Sequence, residues 1–298
     1  MRLMPASTMS EADTLLAPTV VRWYATAARD LPWRRPDAGP WAVLVSEVML
    51  QQTPVRRVLP TYTRWRARWP TPADLAAASA GEAVREWGGL GYPRRALHLH
   101  AVARIIVESY GGQVPADLDA LLRLPGVGGY TARAVAAFGF GQRHAVVDTN
   151  ARRVLTRVVL GRAHSRPSPA ADLRLAERFL PKGPRPAATY AAALMELGAL
   201  ICTARRPRCG DCPLRRHCAW RAAGYPPQPQ GPRQPYAGTD RQARGRLLAV
   251  ARAAEAGPAD SAALAAAWPE RTQRDRALAS LVADGLLVVR NDGRHELP

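Results

Sequence analysis

Cys202, Cys209, Cys212 and Cys218 are all the cysteines in the chain, and they fall in one short segment with the spacing C-x6-C-x2-C-x5-C. Four thiols gathered in a loop of a chain without a secretory signature point to metal rather than to disulfides. Zinc more often takes two close C-x2-C pairs, and only one such pair is present. The uneven spacing suits a [4Fe–4S] cluster better. Arg205, Arg206, Arg208, Arg215 and Arg216 lie between the cysteines, more cations than packing around a cluster requires. The loop therefore reads as a phosphate-gripping surface shaped by the cluster.

Two carboxylates stand in unusually apolar surroundings. Asp148 closes the run Ala145-Val146-Val147 and is followed by Thr149-Asn150, where a helix begins. Such a residue is an N-cap, a catalytic group, or both. Glu47 sits among Val43, Leu44, Val48 and Leu50, so it is either a partnered carboxyl at the edge of a buried face or a desolvated acid. Between these carboxylates runs Leu124-Pro125-Gly126-Val127-Gly128-Gly129-Tyr130-Thr131, a glycine-rich turn joining two helical runs. Glycine permits positive φ and leaves no Cβ in the way of a close approach. The first N–H groups of the following helix then suit a phosphate oxygen. Lys182 is the single lysine and lies in a loop, a poor position for Schiff-base chemistry.

The elements that must position these groups are helices. Apolar positions recur at helical spacing over Thr14–Ala28, Trp41–Gln51, Val55–Trp69 and Arg94–Tyr110. Shorter runs follow: Glu82–Trp87, Asp117–Arg123 and Thr131–Phe138. Asn150–Leu160, Asp172–Leu180 and Ala187–Ile201 complete an almost strand-free, all-α body. Gly224 to Gln234 is a proline-rich linker. Beyond it, three short helices and a hairpin around Asn291-Asp292-Gly293 resemble a winged helix-turn-helix module, which either contacts DNA or docks on the body.

The formal net charge is +18 over 298 residues, with a pI near 11.1. Some of the arginine content reflects a composition typical of a high-GC genome, yet the excess over acids is wide. The expected partner is nucleic acid rather than membrane, because no apolar run is long enough to span a bilayer. Met1–Ser10 carries one arginine and no sustained apolar core, so a cytoplasmic, nucleoid-associated location is expected.

Taken in order, Leu31-Pro32-Trp33, Ser46-Glu47-Val48-Met49-Leu50-Gln51-Gln52-Thr53, Gly89-Leu90-Gly91-Tyr92, Leu124-Pro125-Gly126-Val127-Gly128, the Asp148 segment and the cysteine spacing resemble the helix-hairpin-helix base-excision glycosylases. Among these the chain resembles the MutY-type adenine DNA glycosylases, from about Trp23 to Trp220. The resemblance implies two helical domains: a cluster domain (11–30 with 144–221) and a six-helix module carrying the hairpin (31–143). Residues 1–10 would be a disordered N-terminus, 222–240 the linker and 241–298 the winged-helix-like module.

The implied activity is excision of adenine mispaired with 8-oxoguanine or guanine, after flipping it from the duplex. The implied partner is double-stranded DNA containing a mispair, bound by a monomer. By resemblance Glu47 is the general acid that protonates the leaving base, and Asp148 faces the developing oxocarbenium ion. Asn150 orients the water or nucleophile, and Gln52 and Tyr92 enter the base stack. Gln51, Gly126, Gly128, Gly129, Arg205, Arg206 and Arg208 join them as DNA contacts. Tyr130 stands where the related endonuclease III enzymes carry a lysine, which implies a glycosylase without efficient strand cleavage.

Two departures stand out. The tail is too short for the Nudix-like domain common in MutY-type enzymes, and Pro93 replaces a second tyrosine after Tyr92. Two alternatives stay open at this point: a thymine glycosylase acting on G·T mismatches, and a non-catalytic damage-binding protein.

Overall fold

The structure is a computed structural model that describes residues 11–227, 235–254 and 257–298, so the expected disordered stretch 1–10 and residues 228–234 of the expected linker lie outside it. Among the described residues the helices are α1 (Glu11–Ala27), α2 (Gly39–Leu50), α3 (Val55–Arg68), α4 (Pro72–Ala77), α5 (Ala80–Trp87), α6 (Arg94–Tyr110), α7 (Leu118–Leu122) and α8 (Gly129–Ala134). They continue as α9 (Thr149–Leu160), α10 (Pro169–Arg178), α11 (Pro184–Leu200), α12 (Ala219–Ala222), α13 (Asp240–Ala253), α14 (Ser261–Ala267) and α15 (Arg271–Ala283). The described residues sort into two compact units, one drawn from 40–131 and 232–298, the other from 1–39 and 132–231.

In the first unit α2 is buried on every side from Trp41 to Met49, so the stripe of apolar residues legible in its sequence understates its burial. A helix apolar all round belongs in the middle of a core. α3 buries one face through Val58, Thr61, Tyr62 and Trp65, spaced i, i+3, i+4, i+7. Trp65 meets Trp69 and Trp87 edge to face, with centroids 4.6 and 5.6 Å apart. Thr71 with Asp74, and Ser79 with Glu82, form reciprocal capping boxes that start α4 and α5.

The C-terminal segment packs in this same unit. Its three helices are followed by β1 (Val288–Val289) and β2 (His295–Glu296), paired antiparallel. Arg252 donates from Nε to the Val84 carbonyl at 2.9 Å, and Arg85 donates from Nη2 to the Ala254 carbonyl at 3.1 Å. Arg94 pairs with Asp284 at 3.4 Å. A side chain at Gly81 would strike the Pro298 carbonyl, so this glycine lets the chain end close on α5.

In the second unit α9 and α11 pack most extensively, with α1 laid against α11. Val20, Val154, Leu155, Tyr190, Leu194, Leu197 and Leu214 fill the core. Within it Glu196 is fully buried and accepts from Arg29 Nε at 2.6 Å and Arg34 Nη2 at 2.9 Å. Although burial opposes ionisation, these guanidinium partners hold its carboxyl below the usual range. α10 and α11 both start three residues earlier than the periodicity predicts, at Pro169 and Pro184. Proline fits the first turn of a helix, where no N–H partner is needed. The expected run Thr131–Phe138 changes pitch part-way: α8 gives way to a π-helical turn over Val135–Gly139, which keeps Val135, Ala136 and Ala137 buried.

Candidate active site and DNA-contacting loops

In the first unit Glu47 projects from the buried helix α2 and is itself 4% exposed. Its Oε2 accepts a hydrogen bond from the Tyr130 hydroxyl at 2.8 Å. Tyr130 is the second residue of α8, so the glycine-rich turn delivers it to the carboxyl. Gln51, at the end of α2, is tied inward to that same turn. Its Nε2 donates to the Gly126 carbonyl at 3.4 Å and to Thr131 Oγ1 at 3.3 Å.

The glycines of the turn divide by role. Gly126 has φ +75°, and a Cβ there would lie 2.7 Å from His98 Nδ1, so the fold itself requires glycine. Cβ atoms at Gly128 and Gly129 would meet nothing, leaving their outer face open. Gln52 and Tyr92 are both exposed and both have positive φ, 56° and 49°.

In the second unit Asp148 is the N-cap of α9, its Oδ1 accepting from the Ala151 N–H at 2.7 Å. The capping reading of the sequence is thus correct, and one oxygen remains beyond the cap. Oδ2 accepts from Asn150 Nδ2 at 2.7 Å. Burial pushes the Asp148 carboxyl above the usual aspartate range, against the pull of the Ala151 N–H, the Asn150 amide and the Arg153 charge.

Arg153 extends this chain of bonds. From Nη2 it donates to Asn150 Oδ1 and to the Gly198 carbonyl, both at 2.7 Å, and from Nε to the Cys202 carbonyl at 2.6 Å. Gly198 lets α11 approach so closely that a Cβ there would come within 2.7 Å of the Asn150 carbonyl oxygen.

Cys202, Cys209, Cys212 and Cys218 line one cavity, together with Val154, Leu197, Ile201 and the guanidinium-bearing Arg157, Arg215 and Arg221. Among the described residues no three His, Cys, Asp or Glu side chains converge tightly enough for a single metal ion. Four separated thiols with apolar walls and nearby cations suit a multinuclear, thiolate-held group. Buried Arg157 braces the cysteine loop, donating to the Thr203 and Ala204 carbonyls at 2.8 and 3.0 Å and stacking 4.6 Å from the Trp220 ring centre. Arg205, Arg206 and Arg208 are exposed on the loop between the cysteines.

Residues 45–182 match the HhH-GPD superfamily of base excision DNA repair proteins. The whole chain is 51% identical over 300 residues to an adenine DNA glycosylase of Mycobacterium tuberculosis, covering 99% of this chain and 98% of that one. The chain belongs to the adenine DNA glycosylase family. Another family member, from Mycolicibacterium smegmatis, is 53% identical over 280 residues, covering 93% of this chain and 94% of that one. The solved structure of a thermostable thymine-DNA glycosylase has a TM-score of 0.65 at 30% identity, covering 72% of this chain and 98% of that one. The HhH-GPD glycosylase fold is therefore the fold of this chain.

Residues 202–218 match the iron–sulfur binding domain of endonuclease III, and a [4Fe–4S] cluster is the cofactor of this glycosylase. The four cysteines fit it as donors, and when bound it cross-links the loop that carries the arginines. Two residues that hold the Asn150–Asp148 segment escape a sequence reading: Arg153 and Gly198. In so arginine-rich a chain no single arginine stands out, and Gly198 lies inside a regular helical run. The weak signal is helical spacing, since Arg153 falls three residues after Asn150.

Proposed function

We propose that this glycosylase removes adenine from a mispair with 8-oxoguanine or guanine in duplex DNA, leaving an intact abasic site. The observation that carries the reading is the 2.8 Å hydrogen bond from the Tyr130 hydroxyl to Glu47, a buried acid on an apolar helix. Glu47 delivers its proton to the extruded adenine ring as the N-glycosidic bond breaks and its electron pair moves onto the base. The sugar becomes an oxocarbenium ion, and ionised Asp148 stabilises it until water adds. Asn150, bonded to Asp148, orients the attacking oxygen. A tyrosine at position 130 offers no amine for Schiff-base formation, and Lys182 lies in the loop between α10 and α11.

DNA contact in this reading falls to Gly126, Gly128 and Gly129, to Gln51, Gln52 and Tyr92, and to the exposed arginines of the cluster loop. The open space outside Gly128 and Gly129 supports close approach of a phosphate. Among the described residues no helix is long and apolar enough to cross a membrane, and a monomer working on the nucleoid in the cytoplasm is the proposed state.

Residues 241–298 form a winged-helix-like module whose role is to brace α5 and the turn before Tyr92. Residues 235–298 are nearly charge-balanced, whereas the chain's excess positive charge lies before them. Most of their exposed arginines pair with acids of the module, as in Arg276–Asp240 at 2.8 Å and Arg294–Asp292 at 2.7 Å, while Arg241 and Arg246 lie over the Tyr236 and Trp268 rings. Replacing Arg271 and Arg294 by alanine is expected to leave the salt dependence of DNA binding unchanged. A fall of about one unit in its logarithmic slope per residue would mean that the module grips phosphates.

Single-turnover excision from A·8-oxoguanine, A·G and T·G duplexes tests the activity. Adenine release from the first two with little from the third is expected. Faster release of thymine from T·G would overturn the assignment in favour of a thymine glycosylase.

A further inference from the structure

Gln52 and Tyr92 share an unusual property. They are two of the three non-glycine residues with positive φ among the described residues, a conformation that L side chains adopt rarely. Each sits at the tip of a separate turn, one following α2 and the other preceding α6. Something must hold both turns in this shape. The side chain between them is Arg95, which rises from the first turn of α6 and is 7% exposed.

Its guanidinium is spread across both turns. Nη1 donates to the Val48 and Met49 carbonyls at 2.9 Å and to the Gln51 carbonyl at 2.6 Å. Nη2 donates to Thr53 Oγ1 and to the Gly91 carbonyl, both at 2.9 Å, and Nε donates to the Tyr92 carbonyl at 3.3 Å. These contacts absorb carbonyls at the end of α2 and then bracket Gln52 from both sides, at Gln51 and Thr53. They also fix Tyr92 and the residue before it. The Trp87 ring lies 5.0 Å from the guanidinium carbon and the Tyr92 ring 5.5 Å away, so cation–π contact adds to the hold on Tyr92. Every one of these acceptors is uncharged. Burial pulls the Arg95 pKa down to about 10, which still leaves it cationic at neutral pH.

We propose that Arg95 is a positioning residue that locks Gln52 and Tyr92 as a preorganised pair for entry into the base stack. The inference rests on the reading that these two residues enter the stack. A side chain that must wedge between stacked bases works best if its loop is already ordered, because ordering on binding subtracts from the energy available to open the pair. Lysine cannot replace the arginine here. An ammonium has three donors around a point, whereas these acceptors lie around a planar fork.

The test uses the full-length, cluster-loaded enzyme and single-turnover excision from two duplexes. In one, the target adenine is paired with 8-oxoguanine; in the other it faces an abasic-site analogue, so no pair has to be opened. Arg95→Lys is expected to slow excision roughly ten- to hundredfold on the paired substrate and much less on the unopposed one. Gln52→Ala and Tyr92→Ala are expected to show the same split.

If the two loop variants show the split but Arg95→Lys slows both substrates equally, Arg95 does not act through the loops and the proposal fails. If neither loop variant shows it, the stack-entry reading itself fails, and the proposal falls with it. Should Arg95→Lys melt far below the parent, Thr53→Val takes its place. It removes one acceptor of Arg95 together with the hydroxyl's weaker bonds to the Gln51 and Leu90 carbonyls. The same split at smaller amplitude is expected, while equal slowing on both substrates again refutes the proposal.

Discussion

Gly198→Ala adds one methyl group at a place where the proposed catalytic segment cannot yield. The new Cβ would lie 2.7 Å from Asn150 Cβ, 2.7 Å from its carbonyl oxygen and 2.8 Å from its carbonyl carbon. Relief requires α11 and the start of α9 to separate by about 0.7 Å, since carbon contacts settle near 3.5 Å. Two of the three atoms are backbone, so no rotamer change relieves the clash. Overpacking of this kind typically costs about 1–3 kcal/mol. Alanine recovers about 1 kcal/mol of helix propensity over glycine. The net expectation is a loss of about 0–2 kcal/mol, read as a drop of at most a few degrees in melting temperature. Activity falls further than stability, because Asn150 holds Asp148 and a displacement on the order of 1 Å can slow a reaction by a hundredfold.

Gly245→Ala is the matched control. It lies inside α13, where the nearest atom to a new Cβ is the Tyr236 hydroxyl at an ordinary 3.5 Å. There the same change is expected to raise the melting temperature and leave excision untouched. Differential scanning calorimetry and single-turnover excision read both variants. A Gly198→Ala enzyme as stable and as fast as the parent would refute the reasoning.

Other outcomes follow from the same geometry. The Asn150 amide opposes the burial-driven rise in the Asp148 pKa, so Asn150→Ala raises that pKa further. If ionised Asp148 is the working form, the acidic limb of the excision–pH profile moves to higher pH, and an unmoved limb would count against its role. Glu196 has a depressed pKa, so its ion pairs contribute stability above the unfolded-state value near 4.5, and that stability is lost as pH falls through the folded-state value. Urea titrations of Glu196→Gln should accordingly show a weaker acid dependence than the parent; equal dependence would mean that the pairs to Arg29 and Arg34 carry no such linkage. Borohydride reduction during turnover is expected to trap no covalent enzyme–DNA product, since neither Tyr130 nor the loop-borne Lys182 supplies a suitable amine. Efficient trapping would contradict strand-preserving chemistry.

The helical body was legible because its helices announce themselves locally. Val58, Thr61, Tyr62 and Trp65 mark one face of α3, while α5 starts two residues before the expected Glu82, capped by Ser79. α2 was only half legible, since a helix buried on all sides has no contrasting face to reveal its depth. The cysteine spacing and the paired carboxylates could be read because those residue types are scarce and chemically distinct. Arg95 and Arg153 could not, for their importance lies in carbonyls brought together by folding, which leave no trace in local pattern. Asp148 illustrates a further limit: its two readings, cap and catalyst, are compatible, with one oxygen on the cap and the other on Asn150. The docking of the C-terminal segment beside α5 depends on Gly81 and Arg252, neither of which stands out in sequence.

The central claim is that Glu47 supplies a proton and Asp148 a negative charge to the breaking N-glycosidic bond. Its most direct test is single-turnover adenine excision by Glu47→Gln and Asp148→Asn, measured beside their affinity for the same A·8-oxoguanine duplex. Asparagine keeps the cap and removes the cost of burying a charge, while its amide faces that of Asn150, so Asp148→Asn should melt within a few degrees of the parent at neutral pH. The account predicts that both variants bind the duplex about as well as the parent and release almost no adenine. Excision by either variant at a rate close to the parent's would contradict it.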